Sequence, residues 1–161
     1  MRELLPHAEK VGALLKKRGE TIAIAESSAG GLITAALLAV PGASAYCLGG
    51  SVIYTRSAWK ALRDFNDEIF GGARAATEPN ALIRAQIIRD RFSADWGIGE
   101  TGASGPTGNR YGDAPGHSCI AVAGRAERAI TIETGSSDRV ANMYAFAVAA
   151  LTLMAESLSA N

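Results

Sequence analysis

Apolar positions along this chain recur with two different periods, and where one period gives way to the other the elements can be placed. Over residues 4–18, Leu4, Ala8, Val11, Leu14 and Leu15 share one side while Glu9, Lys10, Lys16 and Lys17 face outward. That pattern predicts an amphipathic helix, closed by a basic last turn and Gly19. Residues 21–25 form a short β-branched apolar run bounded by Gly19 and Ser27, which predicts a buried strand. Leu32, Ala35, Ala36, Ala39 and Val40 then return to the helical period over residues 32–40.

Beyond that helix the pattern predicts a strand over 45–54, bent at Gly49 and Gly50, and a short helix over 57–63. Thr77 suits an N-cap and Pro79 a first helical turn. Leu82, Ile83, Ile87 and Phe92 mark the buried side of a helix ending at residue 92. Residues 94–100 read as a strand, 101–116 as a long glycine-punctuated loop, and 118–123 with 129–134 as two strands of a hairpin. Asp138 and Arg139 cap a last helix in which Val140, Met143, Ala147, Leu151, Met154 and Leu158 keep the helical period. Helices and strands that alternate in this way predict an α/β fold. It is a three-layer α/β/α sandwich with a mostly parallel mixed sheet and an antiparallel edge.

Length and composition narrow this further. At 161 residues, 48% hydrophobic and 20% charged, the chain suits one globular domain spanning 1–161, with no linker or repeat. Apolar runs such as 32–40 are too short to cross a bilayer, and Arg2, Glu3 and Pro6 interrupt the start where a secretory leader needs an apolar block. The expectations are therefore a cytoplasmic protein and no membrane partner. Sixteen basic residues balance sixteen acidic ones, so no net field recruits nucleic acid. Cys47 and Cys119 lie in apolar stretches and read as buried free thiols. The two histidines and two cysteines show no metal-binding spacing, so neither metal nor cofactor is expected. Eighteen glycines point to close backbone approaches, as in a glycine-lined pocket.

Three segments carry candidate chemistry. Glu26, Ser27, Ser28, Gly30 and Gly31 fall where a strand ends and a helix begins. Free N–H groups and the positive end of a helix dipole meet there and suit an anion or a tetrahedral oxyanion. One serine, Ser28 above all, could equally be a helix N-cap. The glycines form neither a nucleophile elbow nor a P-loop. Tyr54, Arg56, Trp59 and Lys60 follow the next strand, and with histidine scarce, Lys60 or Tyr54 is the expected base for a serine. Thr101, Gly102, Ser104, Gly105, Asn109 and Arg110 line the long loop, which reads either as an anion nest with Arg110 as clamp or as a solvated surface loop.

In order, the motifs Ala25-Glu26-Ser27-Ser28-Ala29-Gly30-Gly31, Val40-Pro41-Gly42-Ala43-Ser44, Val52-Ile53-Tyr54-Thr55, Thr77-Glu78-Pro79, Thr101-Gly102-Ala103-Ser104-Gly105-Pro106, Pro115-Gly116 and Asp138-Arg139 resemble the C-terminal domain of the competence/damage-inducible CinA family, the nicotinamide-nucleotide amidases. The resemblance covers nearly the whole chain. It implies a metal-free amidohydrolase that converts nicotinamide mononucleotide, or a related small amide, to the acid and ammonia. It further implies Ser27 as nucleophile, a lysine five residues after the tyrosine as base, and self-association into a homo-oligomer. Trp59 stands at that fifth position here, with Lys60 one residue on, a shift of about 100° on a helix. The alternative is a nucleotide-binding module of the same fold with impaired catalysis.

Overall fold

The computed structural model describes residues 1–61 and 68–160, with Lys60 described through its backbone alone. The elements run α1 (Leu5–Arg18), β1 (Ile22–Glu26), α2 (Leu32–Leu38), a 3₁₀ turn (Ala43–Ala45), β2 (Cys47–Val52), α3 (Arg56–Ala61), α4 (Glu78–Phe92), β3 (Trp96–Ala103), β4 (His117–Ala123), β5 (Glu127–Glu133) and α5 (Arg139–Ala160). The predicted short helix over 57–63 thus corresponds to α3, and its last two residues lie outside the described residues.

The five strands form one sheet in the order β2-β1-β3-β4-β5. β1 pairs in parallel with β2 on one side and β3 on the other, whereas β3–β4 and β4–β5 are antiparallel. Only β4 therefore runs against the rest, which is the expected parallel sheet with a hairpin edge. Alternation along the strands sorts the core into two layers. Ile22, Ile24, Ile98, Ile120 and Val122 pack with residues of α1, α2 and α5. Ala23 and Ala25 meet Ile88 of α4, and Cys119, Ala121 and Ala123 meet Ala81 and Ala85.

The α4 layer is thin because β3 carries no side chains beneath it. A Cβ on Gly97 would lie 2.0 Å from the Ala85 carbonyl oxygen, and one on Gly99 2.0 Å from that of Ala81. The backbone of α4 thus rests directly on the strand. Several glycines serve packing of this kind rather than the pocket expected from their number; Gly12 likewise admits Tyr46, and Gly124 admits Trp96.

Two elements differ from expectation. β3 continues to Ala103, because residues 97–103 pair with β4 in unbroken register; Thr101 and Gly102 are strand, not loop. α5, at 22 residues, is by length and composition long and apolar enough to cross a membrane, unlike the shorter runs considered above. Phe146, Ala147, Ala150, Leu151, Met154 and Leu158 of α5 are buried in the main core.

Candidate active site

The topology decides where a site can form. β1 connects to β2 through α2 on one face and β2 to β3 through α4 on the other, so the chain reverses its winding at β1. In such sheets a crevice opens at the carboxyl ends of the strands flanking the reversal. The segments that leave β1, β2 and β3 at this edge are the three singled out above.

Two buried carboxylates build the turn after β1. Glu26 accepts from Gly31 N at 2.9 Å, Ile33 N at 3.0 Å, Thr34 N at 2.7 Å and Thr34 Oγ1 at 2.5 Å, which occupies the amino end of α2. Burial, opposed by the Thr34 and Ile33 hydrogen bonds and aided by the charge of Glu100, leaves the Glu26 carboxyl above its ordinary pKa. Glu100, on β3, accepts from Ser27 N and Ala29 N, both at 2.9 Å, from Ser118 Oγ at 3.0 Å and from Ser28 Oγ through a short contact. Both glutamates are fully buried.

Most donors expected to face a ligand are therefore consumed by the protein. Gly30 N also donates to Ser27 O at 3.1 Å. Met143 closes over Gly30, since a Cβ there would lie 2.5 Å from its methyl carbon. The two serines have separate tasks. Ser28 Oγ is tied to Glu100, and so it is neither the N-cap of α2 nor available for chemistry. Ser27, 9% exposed, keeps a hydroxyl with no hydrogen-bond partner among the described residues, and the Ser28 N–H has none either.

α5 draws the other two segments to this edge. Arg139 donates through Nη1 to Gly105 O at 2.6 Å and through Nη2 to Tyr54 Oη at 2.9 Å, joining the loop after β3 to the segment after β2. Asn142 Nδ2 donates to Ser104 O and Ser136 O, both at 2.8 Å, and Asn142 Oδ1 accepts from Thr134 Oγ1 at 2.5 Å. Ser104 Oγ is buried without a hydrogen-bond partner among the described residues. Gly105 approaches Ser137 so closely that a Cβ would lie 2.9 Å from its carbonyl oxygen; its φ is +107°.

The remaining predicted residues divide between scaffold and surface. Thr101 is buried on β3, where Oγ1 accepts from Ala76 N at 3.1 Å, and Gly102 sits in the ladder opposite Ser118. Asn109 shapes its own loop: Oδ1 accepts from Tyr111 N and Asp113 N, and Nδ2 donates to Asp113. Arg110 is exposed and makes no ion pair among the described residues; the guanidinium groups that hold the loop are those of Arg139, on Gly105 O, and Arg74, on Asp113. Tyr54 is 57% exposed, and Arg56 is exposed at the start of α3. Lys60 stands on α3, with its side chain outside what is described.

Sequence reasoning missed Glu100, Arg139 as a tether, Asn142, and Arg84. Arg84 of α4 is 3% exposed, its guanidinium lies 4.1 Å from the Trp59 ring centroid, and burial lowers its pKa to about 10. Nearby, Arg74 binds Asp113 through both terminal nitrogens, at 2.6 and 3.0 Å. That hydrogen bond, opposed by desolvation and supported by Asn109, lowers the Asp113 pKa to about 2. No group of three or more His, Cys, Asp or Glu able to hold a metal occurs among the described residues.

A doubly wound α/β domain with an unengaged serine at its switch point is the class these features define. The chain belongs to the CinA C-terminal domain family, whose model matches residues 5–158. The CinA-like protein of Chloroherpeton thalassium is 35% identical over 161 residues, covering 98% of this chain and 38% of that one. The CinA-like protein of Gloeobacter violaceus is 38% identical over 130 residues, or 80% of this chain and 30% of its own length. The chain thus spans about a third of these curated relatives. A CinA superfamily protein from Klebsiella pneumoniae 700603 shares the fold at a TM-score of 0.90, with 23% identity and coverage of 98% and 99% of the two chains. A competence or damage-inducible protein from Enterobacter asburiae does so at 0.88, with 25% identity over 96% and 98%.

Proposed function

We propose that this domain hydrolyses the carboxamide of a small molecule, nicotinamide mononucleotide or a related amide, with Ser27 as nucleophile. The observation that carries the reading is the Ser27 hydroxyl itself. It lies nearly buried at the switch point with no hydrogen-bond partner among the described residues, in a turn where most other polar groups are committed. The Ser27 hydroxyl is not sealed from solvent as Ser104 Oγ is, so a small molecule entering the crevice can reach it.

In this mechanism Ser27 Oγ attacks the carboxamide carbon and its proton passes to Lys60 or Tyr54. The oxyanion forms beside the Ser28 N–H, a backbone donor of the turn with no partner among the described residues. Collapse expels ammonia, which takes up that proton, and leaves an acyl ester on Ser27. Water then cleaves the ester to release the acid. Glu26 and Glu100 hold the turn and take no proton. Arg139, bonded to Tyr54 and Gly105, positions the two walls.

A second reading rests on Trp59, at the position where the family resemblance implies a lysine, with its ring against Arg84. Under it, the domain binds a mononucleotide without hydrolysing it. Ammonia release from a panel of small amides, nicotinamide mononucleotide first, decides between the two. Turnover of any member supports the amidase; tight binding with no ammonia from the whole panel supports the binding module.

A further inference from the structure

Arg84 is the least explained charge in the molecule. Its side chain is 3% exposed, yet its sole hydrogen bond among the described residues runs from Nε to Asn80 Oδ1, at 2.7 Å. Nη1 is sealed from solvent and has no partner, and Nη2 makes no hydrogen bond either. One face of the guanidinium lies against Trp59, with Phe70 beyond at 5.9 Å from its centroid, and Trp59 and Phe70 meet edge to face at 5.2 Å. Buried guanidinium groups are ordinarily paired, because an unanswered buried donor is costly. Glu100 is near enough for its charge to act on Arg84, but its oxygens are already engaged by four donors of the turn and of β4.

The direction of α4 puts this fork at the site. Ala76 and the first turn of α4 stand beside Thr101, at the carboxyl end of β3, while Arg89 lies over Gly97, nearer the other end. The amino end of α4 therefore lies at the site edge. A Cβ on Gly99 would be 2.9 Å from Arg84 Cβ, and Gly99 pairs with Ala25, two residues before Ser27. Helical side chains tilt toward the helix amino end, which carries Arg84 from the Ala25 level toward that of Ser27.

We propose that Arg84 receives an oxyanion of the bound small molecule, a phosphate monoester or a carboxylate, on Nη1 and Nη2. Asn80 on Nε and the Trp59 face hold the guanidinium plane, leaving its distal edge in the fork that matches two oxygens of one anion. This rests on the amidase reading for the identity of the ligand, but its test reads binding alone.

Two ligand pairs isolate the two anions. Nicotinamide mononucleotide and nicotinamide riboside differ by the phosphate; nicotinate mononucleotide and nicotinamide mononucleotide differ by the carboxylate. Calorimetric titration of wild-type protein and of Arg84→Met, each repeated in a Ser27→Ala background so that hydrolysis adds no heat, gives a preference within each pair. In one pair the wild type should favour the anion-bearing member at least tenfold, and Arg84→Met should erase that preference while binding the other member unchanged. The pair affected says which anion is held. Equal preference in both proteins, or none in the wild type, overturns the proposal. Methionine replaces a buried unpaired charge with a flexible apolar chain, so the melting temperature should hold or rise. If that variant does not fold, Arg84→Lys serves instead: it keeps the charge without the fork, and an undiminished preference refutes the bidentate assignment. Wild-type protein that binds as expected but releases no ammonia refutes the amidase and leaves this assignment standing.

Discussion

At the scale of single residues, the turn after β1 shows two adjacent serines with opposite roles. Ser28 gives its hydroxyl to Glu100, whereas Ser27 gives only its N–H and keeps its hydroxyl free. Ser28→Ala should cost about 1–2 kcal/mol of stability, the range for leaving a buried acceptor short of one donor, read as a shift in the urea midpoint. Glu100→Ala should cost more, about 3 kcal/mol or above, because Ser27 N, Ala29 N and two hydroxyls lose their acceptor together. A loss under about 1 kcal/mol in the same titration would mean that Glu100 does not hold the turn. None of this was legible locally. Glu100 lies 71–73 residues beyond its partners in the turn, and the β1–β3 pairing brings them together. Which serine keeps a free hydroxyl was not legible from the turn alone, where either could cap the helix; the family resemblance alone pointed to Ser27. Arg110 sits in the glycine loop by sequence, whereas the arginines that bind that loop come from elsewhere: Arg139, 34 residues beyond Gly105, and Arg74, 39 residues before Asp113.

At the scale of elements, contact between α4 and β3 is made by backbone. Gly99→Ala would push a methyl to 2.0 Å from the Ala81 carbonyl, so α4 must move off the sheet, at a cost of about 2 kcal/mol or more in a denaturant titration. Because Arg84 and Thr77 ride on α4, ligand binding should weaken in the same variant. The loop after β3 is tied down by Arg74 and Asp113. The Asp113 pKa falls from its ordinary 3.8 to about 2 in the folded chain, so the protonated form is the less compatible with folding. The stabilisation is therefore complete above pH 3.8 and is lost as the pH falls through about 2. Asp113→Asn should lower the melting temperature at neutral pH, and the gap between wild type and variant should close as the pH falls from 3.8 to below 2. A constant gap over that range would contradict the ion pair. Helix and strand positions followed from hydrophobic period, but the end of β3 did not, since Thr101 and Gly102 look like turn residues until their pairing with β4 is seen.

At the scale of the whole molecule, the order β2-β1-β3 explains why three distant segments share one edge. A reversal of winding at β1 puts the carboxyl ends of three parallel strands side by side, and α5 clamps what leaves them through Arg139 and Asn142. The alternation of elements revealed the layers and the hairpin edge; it could not say which strand lies at the centre. The glycine count suggested a pocket, whereas Gly12, Gly97, Gly99 and Gly124 serve the close packing of helix backbone and aromatic side chains. The central claim is that this topology presents one reactive hydroxyl, that of Ser27.

It is tested most directly by ammonia release from nicotinamide mononucleotide, compared among wild type, Ser27→Ala and Ser28→Ala at matched folded fractions. Ser27→Ala should keep the wild-type melting temperature and lose at least about 1,000-fold in kcat, while Ser28→Ala keeps most of its turnover per folded molecule. Ser27→Ala turning over at the wild-type rate would contradict the account.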